Sequence, residues 1–227
     1  MTIKTTLYIA SRDIGNYKDN TDRLKDILRK SDLILVESFK EATKLLKYLD
    51  IQKDKNQLME FSEHTKKGSD IDSIINKILL LETIVLISDC GTPVLEDPGR
   101  ELIEYCYSYN IKVRPIPGVS SVTASIMCLP FNFKSFYYAG LLPRDDKDRE
   151  RRLIFLKKLD VPVIILDTPY RLSKVLASIK KIYSKNKQIA LCLDITTDSE
   201  EIVIDDVSNL LDKYSNIKKR EFVIVIS

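Results

Sequence analysis

The sequence predicts an α/β fold of two domains, with a mainly parallel sheet in residues 1–117, a mixed sheet in residues 118–227 and a cleft between them. Three observations carry this expectation. As far as Pro117, short runs rich in β-branched residues alternate with amphipathic helical stripes, the rhythm of parallel strands joined by crossover helices. Beyond Gly118 the last strand-like runs lie too close together for a helix between every pair, so some neighbours must run antiparallel. The third observation is the stretch Thr83 to Gly99, TIVLISDCGTPVLEDPG, where a buried-strand composition stops abruptly at a turn built on Gly91 and Pro93. In open parallel sheets the carboxyl ends of strands are where ligands bind.

Along the chain, Thr6 to Ala10 is the first strand, and Asn20 or Thr21 caps a helix running to Arg29. Leu33 to Glu37 is the second strand. The helix after it, Lys40 to Leu49, sets Ala42, Leu45, Leu46 and Leu49 at helical spacing. A polar loop precedes a short strand, Leu58 to Phe61, and an apolar-striped helix, Ile71 to Leu81. Thr83 to Ser88 then forms the central strand, and Asp97 with Pro98 reads as the N-cap and first position of a helix to about Tyr109. Ile111 to Ile116 is the fifth strand, closing at Pro115-Ile116-Pro117-Gly118. A helix from about Ser120 to Cys128 opens the second domain. Its strands are Phe136 to Leu141, Val163 to Asp167, Ile189 to Asp194, Glu201 to Asp205 and Glu221 to Ile226. Its helices are Lys147 to Lys158, Arg171 to Tyr183 and a shorter one near Val207 to Tyr214.

Composition narrows the chemistry. With 227 residues, 44% of them hydrophobic, the chain can bury a core in each of two domains. A net charge of +3, from 36 basic and 33 acidic residues, does not by itself demand a nucleic-acid partner. The segment Arg144 to Lys158 is the most basic surface candidate, with seven basic residues against four acidic. It reads either as a phosphate-contacting edge or as a solvated helix whose aspartates and terminal lysines match its dipole. The cysteines, Cys90, Cys106, Cys128 and Cys192, show no CxxC spacing and His64 is the only histidine, so free thiols in a reducing cytoplasm are expected and a metal site is not. No apolar run suits a signal peptide or a membrane span. The six glycines form neither GxGxxG nor a Walker A loop, and GxSxG and HExxH are absent.

Several strand-to-loop junctions remain, in a fixed order: Leu7-Tyr8-Ile9 with Ile14-Gly15-Asn16, Glu63-His64, Val85 to Pro98, Pro115 to Gly118, Gly140 to Arg144, Thr168 to Leu172 and Glu221-Phe222-Val223. Together they resemble the tetrapyrrole methylase superfamily of S-adenosylmethionine-dependent methyltransferases, over nearly the whole chain. The resemblance is greatest to the branch that methylates a ribose 2′-hydroxyl of small-subunit ribosomal RNA. It implies S-adenosyl-L-methionine as cofactor, ribosomal RNA or the small ribosomal subunit as partner, and a homodimer. A small-molecule tetrapyrrole methylase and a non-catalytic cofactor- or ribosome-binding member are the alternatives.

By the same resemblance, Asp89, Cys90, Gly91, Thr92, Pro93, Gly118, Ser120, Ser121, Thr168 and Pro169 are expected to hold the cofactor. Glu37, Lys40 and His64 are the acid-base or positioning candidates. Glu37 reads equally as a solvated strand-end carboxylate, Lys40 as a first-turn helix lysine and His64 as a surface-loop residue. Three junctions depart from the family pattern. Ser11-Arg12-Asp13 stands where the family has Thr-Pro, Glu37-Ser38-Phe39-Lys40 where it has Glu-Asp-Thr-Arg, and Pro169-Tyr170-Arg171 where it has Pro-His-Arg. A buried unpaired charge is costly, so Arg12 and Asp13 are expected to pair or to face solvent.

Overall fold

Strand β1 (Thr6–Ala10) lies beside β4 (Thr83–Ile87), pairing in parallel with Leu7 opposite Ile84, in a computed structural model that describes residues 4–62, 69–216 and 219–227. Around this pair are β2 (Leu33–Val36), β3 (Leu58–Glu60) and β5 (Lys112–Ile116), in the order β3-β2-β4-β1-β5, every pairing parallel. All these strands therefore deliver their carboxyl ends to one edge.

Both faces of the sheet are covered, which is why β2 and most of β4 are apolar without interruption. Leu33 and Leu35 point to one face with Leu7, Ile84 and Leu86, under α3 (Ser69–Ile78) and α4 (Arg100–Ser108). Ile34 and Val36 point to the other with Val85 and Ile87, under α1 (Asp22–Lys30) and α2 (Phe39–Tyr48). Thr21 and Ser38 cap α1 and α2, accepting from the Leu24 and Glu41 amides.

Helix α4 departs from expectation. It begins at Arg100 behind an N-cap Gly99 at φ +145°, not behind Asp97. The reason is local: Val94 and Glu96 also adopt positive φ, coiling residues 93–98 into turns and leaving the Asp97 carboxyl free of any capping duty.

The second sheet has the order β6-β7-β10-β8-β9, formed by β6 (Tyr137–Leu141), β7 (Val163–Asp167), β8 (Gln188–Leu193), β9 (Glu201–Asp206) and β10 (Phe222–Ile226). Only β6 and β7 pair in parallel; the other pairings are antiparallel, giving the mixed sheet that the strand spacing predicted. Because β10 runs against both β7 and β8, strands β6, β7 and β8 share a direction, and the loops at their carboxyl ends meet the amino ends of β9 and β10. Helices α5 (Ser121–Met127), α6 (Asp146–Leu156), α7 (Leu172–Tyr183) and α8 (Val207–Tyr214) complete this part. Its core packs Leu153 and Leu156 of α6 with Val175, Leu176 and Ile179 of α7, Leu210 of α8 and the sheet residues Ile165, Leu191 and Ile224. The chain forms two compact units, Met1–Ser120 and Ser121–Ser227. Among the described residues no helix is long and apolar enough to cross a membrane.

Candidate active site

At the carboxyl edge of the first sheet, the loops after β1, β4 and β5 are laced together by main-chain bonds. The Ser11 amide donates to the Ile116 carbonyl at 3.0 Å, the Arg12 amide to Gly91 O at 2.9 Å, and the Gly91 amide to Asp13 O at 3.0 Å. A hydroxyl relay runs alongside: Ser11 Oγ donates to Thr92 Oγ1 at 3.1 Å, which donates to Val119 O at 3.1 Å. Gly91 sits at φ +68°, where an L side chain is strained. At Gly118 the requirement is space, because a Cβ there would lie 3.0 Å from the Ser11 carbonyl oxygen and 3.1 Å from Ser11 Cβ. The expected residues Gly91, Thr92 and Gly118 are thus brought together around Ser11, which the sequence marked as part of an altered junction and not as a site residue.

Carboxylates fringe this lacework. The Asp89 amide donates to Glu37 Oε2 at 3.0 Å, while the Asp89 carboxylate accepts from the Ser38 amide at 3.0 Å and from Ser38 Oγ at 2.9 Å. Ser88 Oγ donates to Cys90 O at 2.9 Å. Burial, reinforced by the nearby charges of Glu37, Asp89 and Glu96, pushes the Asp97 carboxyl up to about 7, against the lowering effect of its hydrogen bond with Ser88. Asp97 was read from the sequence as a cap and missed as an acid-base group. What hid it is that β2 and β4, distant in sequence, are neighbours in the sheet and crowd their terminal carboxylates together.

The Arg12–Asp13 expectation resolves as a pair. Both residues are buried, at 3% and 4% exposure, with Arg12 Nη2 3.3 Å from Asp13 Oδ2. Arg12 also donates to Glu41 O at 3.4 Å and lies over the ring of Tyr17, which stacks on Tyr48. Asp13 further accepts from the Gly15 amide at 3.2 Å and from the Asn20 side chain at 3.0 Å. The charges that replace a proline here are consumed in holding the first loop.

The other expected residues are spread. Glu37 anchors the Asp89 amide, but Lys40 is 79% exposed on the first turn of α2, 4.0 Å from Glu41. His64 lies outside the described residues. Ser120 ends the first unit, and Ser121 opens α5 in the second. Thr168 and Pro169 enter a tight turn, Pro169–Arg171, after β7. Arg171 locks that turn: its guanidinium lies 3.0 Å from Asp167 and donates to Leu142 O at 2.8 Å and Pro143 O at 2.7 Å. Asp167 accepts the Thr168 amide at 2.7 Å, while its Oδ2 is buried without a hydrogen-bond partner among the described residues, and burial raises its pKa.

A parallel sheet with a glycine- and hydroxyl-laced strand edge, joined to a mixed α/β unit, defines a class of protein, and the comparisons name it. The model of the Tetrapyrrole (Corrin/Porphyrin) Methylases matches residues 6–211, and the chain belongs to that family. It is an S-adenosylmethionine-dependent methyltransferase. It is 32% identical to the Ribosomal RNA small subunit methyltransferase I of Rickettsia prowazekii, over 100% of this chain and 80% of that one. The protein of the same name from Leptospira borgpetersenii is also 32% identical, over 99% of this chain and 88% of its own length. In fold, the chain is similar to the crystal structure of a uroporphyrin-III C-methyl transferase from Thermus thermophilus complexed with S-adenyl homocysteine. That likeness has a TM-score of 0.67 at 12% identity, over 98% of this chain and 97% of that one.

Proposed function

We propose that the chain transfers a methyl group from S-adenosylmethionine to a ribose 2′-hydroxyl of small-subunit ribosomal RNA, acting in the cytoplasm as a homodimer. The observation that carries this reading is the similarity over essentially the whole chain to relatives named as small-subunit ribosomal RNA methyltransferases. The strand edge of the first unit fits such a donor. A cation suits a rim bearing Glu37, Asp89 and Asp97, and the close approach at Gly118 keeps side chains out of the main-chain lacework. Asp89, Cys90, Gly91, Thr92, Pro93, Gly118 and Ser120 of this unit would hold the cofactor; Ser121, Thr168 and Pro169 stay cofactor-binding candidates on the family resemblance. Bound, the cofactor supplies an electrophilic methyl on a sulfonium.

What the chain must add is placement of the acceptor and a destination for its proton. Asp97, titrating near neutrality, is the group of this rim best matched to taking a hydroxyl proton. Glu37 fixes the Asp89 loop, His64 is a further acid-base candidate, and Lys40, exposed on α2, suits contact with phosphate. The test is to incubate the purified protein with labelled cofactor and small ribosomal subunits from cells lacking the methylation, then map modified nucleosides by mass spectrometry. A new 2′-O-methyl nucleoside is expected; cofactor binding without incorporation would reject the RNA substrate.

A further inference from the structure

The carboxyl edge of the second sheet presents an aromatic ring and a cation in contact with each other. Tyr170 is 76% exposed, and Lys219 Nζ lies 5.0 Å from the centroid of its ring. An exposed tyrosine would ordinarily be unremarkable, but both members of this pair stand on immobilised backbone. Tyr170 is the middle residue of the Pro169–Arg171 turn, whose φ is fixed by proline on one side and whose Arg171 is tied to Asp167, Leu142 O and Pro143 O on the other. Lys219 precedes Arg220, which donates to Asp194 at 2.6 Å, to Glu201 at 2.9 Å and to Ser199 O, while the Glu221 amide donates to Asp194 at 2.9 Å. The structure therefore spends buried and half-buried ion pairs on presenting two side chains that make no use of burial themselves.

We infer that Tyr170 and Lys219 form a stacking subsite for an unpaired nucleobase of the RNA substrate, the ring taking the base and the ammonium the adjoining phosphate. This rests on the RNA reading above. A ribose offered for methylation in a folded RNA has its base drawn out of the helical stack, and an unstacked base is received on aromatic faces next to cations. Stacking tolerates any base, so the subsite contributes affinity and orientation without reading sequence. Lys219 also faces Glu221, whose carboxyl is raised by burial and lowered again by this lysine, so a purely structural role for Lys219 is the competing account.

The experiment uses the full chain and a short fluorescein-labelled oligouridine, titrated at several salt concentrations, with S-adenosylhomocysteine binding followed by calorimetry on the same samples. Tyr170→Ala is expected to weaken RNA binding about ten-fold or more, and Tyr170→Phe to bind like the parent. Lys219→Gln is expected to weaken RNA and to reduce the salt slope by roughly 0.7, the share of one phosphate contact on a single strand. Cofactor affinity should stay within two-fold in all three, roughly the scatter of independent sites. RNA affinity unchanged in Tyr170→Ala, with the parent binding RNA, overturns the subsite alone. Lost cofactor affinity in that variant overturns it in favour of a ring serving the cofactor. A parent protein that binds no RNA removes the RNA reading and the subsite together.

Discussion

Where β1, β2, β4 and β5 end, the loops carry glycines, hydroxyls and a rim of carboxylates from Glu37, Asp89 and Asp97; where β6, β7 and β8 end, they carry Arg144, Tyr170 and Arg171, facing Lys219 and Arg220 just before β10. Topology makes both edges into places where loops converge, since aligned strand ends leave room for a ligand beyond the sheet. Sign and side-chain size then separate them. The first edge excludes bulk and gathers negative charge, as a compact cationic donor requires. The second uses the buried carboxylate of Asp167 and the half-buried one of Asp194 to hold arginines in place, and leaves one ring and one lysine outward, as the proposed stacking subsite requires.

The widest gap between the edges should appear when a single cation is removed from each. Arg12→Ala leaves Asp13 buried with the Gly15 amide and the Asn20 amide group as its donors. Breaking a buried pair from one side costs about 3–5 kcal/mol, and the two remaining donors to Asp13 place the expected loss at the lower end of that range. Lys219→Gln removes an exposed charge and should change stability by less than about 0.5 kcal/mol. Urea denaturation of both variants measures the contrast. A loss below about 1 kcal/mol in Arg12→Ala would mean that water reaches the pair, and that the first edge is no drier than the second.

Gly118→Ala probes the exclusion of bulk. Its methyl would meet the Ser11 carbonyl at 3.0 Å, so Ser11 or the β5 loop must give way, which strains the nearby bond from Thr92 to Val119 O. Overpacking of this kind costs about 1–3 kcal/mol. Expressed at the loops proposed to hold the donor, it should lower S-adenosylhomocysteine affinity by about ten-fold, which corresponds to 1.4 kcal/mol. Calorimetry showing parental affinity would mean that the lacework can breathe without affecting the donor.

Asp97 sets a smaller effect with a definite sign. Its carboxyl is raised from an ordinary 3.8 to about 7, so between those values the folded protein keeps a proton that the unfolded chain has lost. Stability attributable to this group therefore falls as pH rises through that window, and levels off above it. The fall is at most about 2 kcal/mol once solvent screening at a partly exposed group is allowed for. Asp97→Asn should flatten the profile and be the more stable form at about pH 8, with little difference at about pH 4. Parallel profiles from urea midpoints would show that the four neighbouring carboxylates do not crowd one another in the folded state.

How far this contrast was legible in the sequence depends on the range of each interaction. Strands such as Thr6–Ala10 and Val163–Asp167 were readable because β-branched content and bounding turns are local properties. The start of α4 was not, because the positive φ of Val94, Glu96 and Gly99 is imposed by the fold around ordinary-looking residues. The crowding at Asp97 follows from the β2–β4 pairing and so could not be seen before the topology. Desolvation alone narrowed Arg12 and Asp13 to pairing or facing solvent, and the fold decided for the pair. Arg149 is the instructive case: in a segment taken as a basic surface it is buried at 3% exposure, donating to Ser178 Oγ at 3.0 Å and Asp146 at 2.6 Å. Its spacing of four and seven residues from Leu153 and Leu156 already placed it on the inner face of α6, a signal masked by the charge of its neighbours.

The smallest expected effect lies on that same helix. Arg151 is exposed and, among the described residues, pairs with Asp148 one turn earlier, whereas Arg152 donates to Tyr137 Oη at 3.0 Å and lies over the rings of Tyr137 and Phe155 at 5.5 and 5.2 Å. Reversing both at once would mix a change of surface charge with the loss of an aromatic platform. Arg152→Glu alone should cost about 1 kcal/mol of stability through lost packing and cation–aromatic contact. Arg151→Glu should stay within about 0.5 kcal/mol, the range of an exposed i,i+3 pair exchanged for a like-charge neighbour. If α6 extends the positive edge that begins at Lys219, Arg151→Glu should still weaken RNA binding at low salt and reduce the salt slope, by roughly 0.7 for a single-strand phosphate contact. RNA affinity and slope equal to the parent's, with stability unchanged, would confine the positive edge to the strand ends and leave the outer face of α6 as solvated surface.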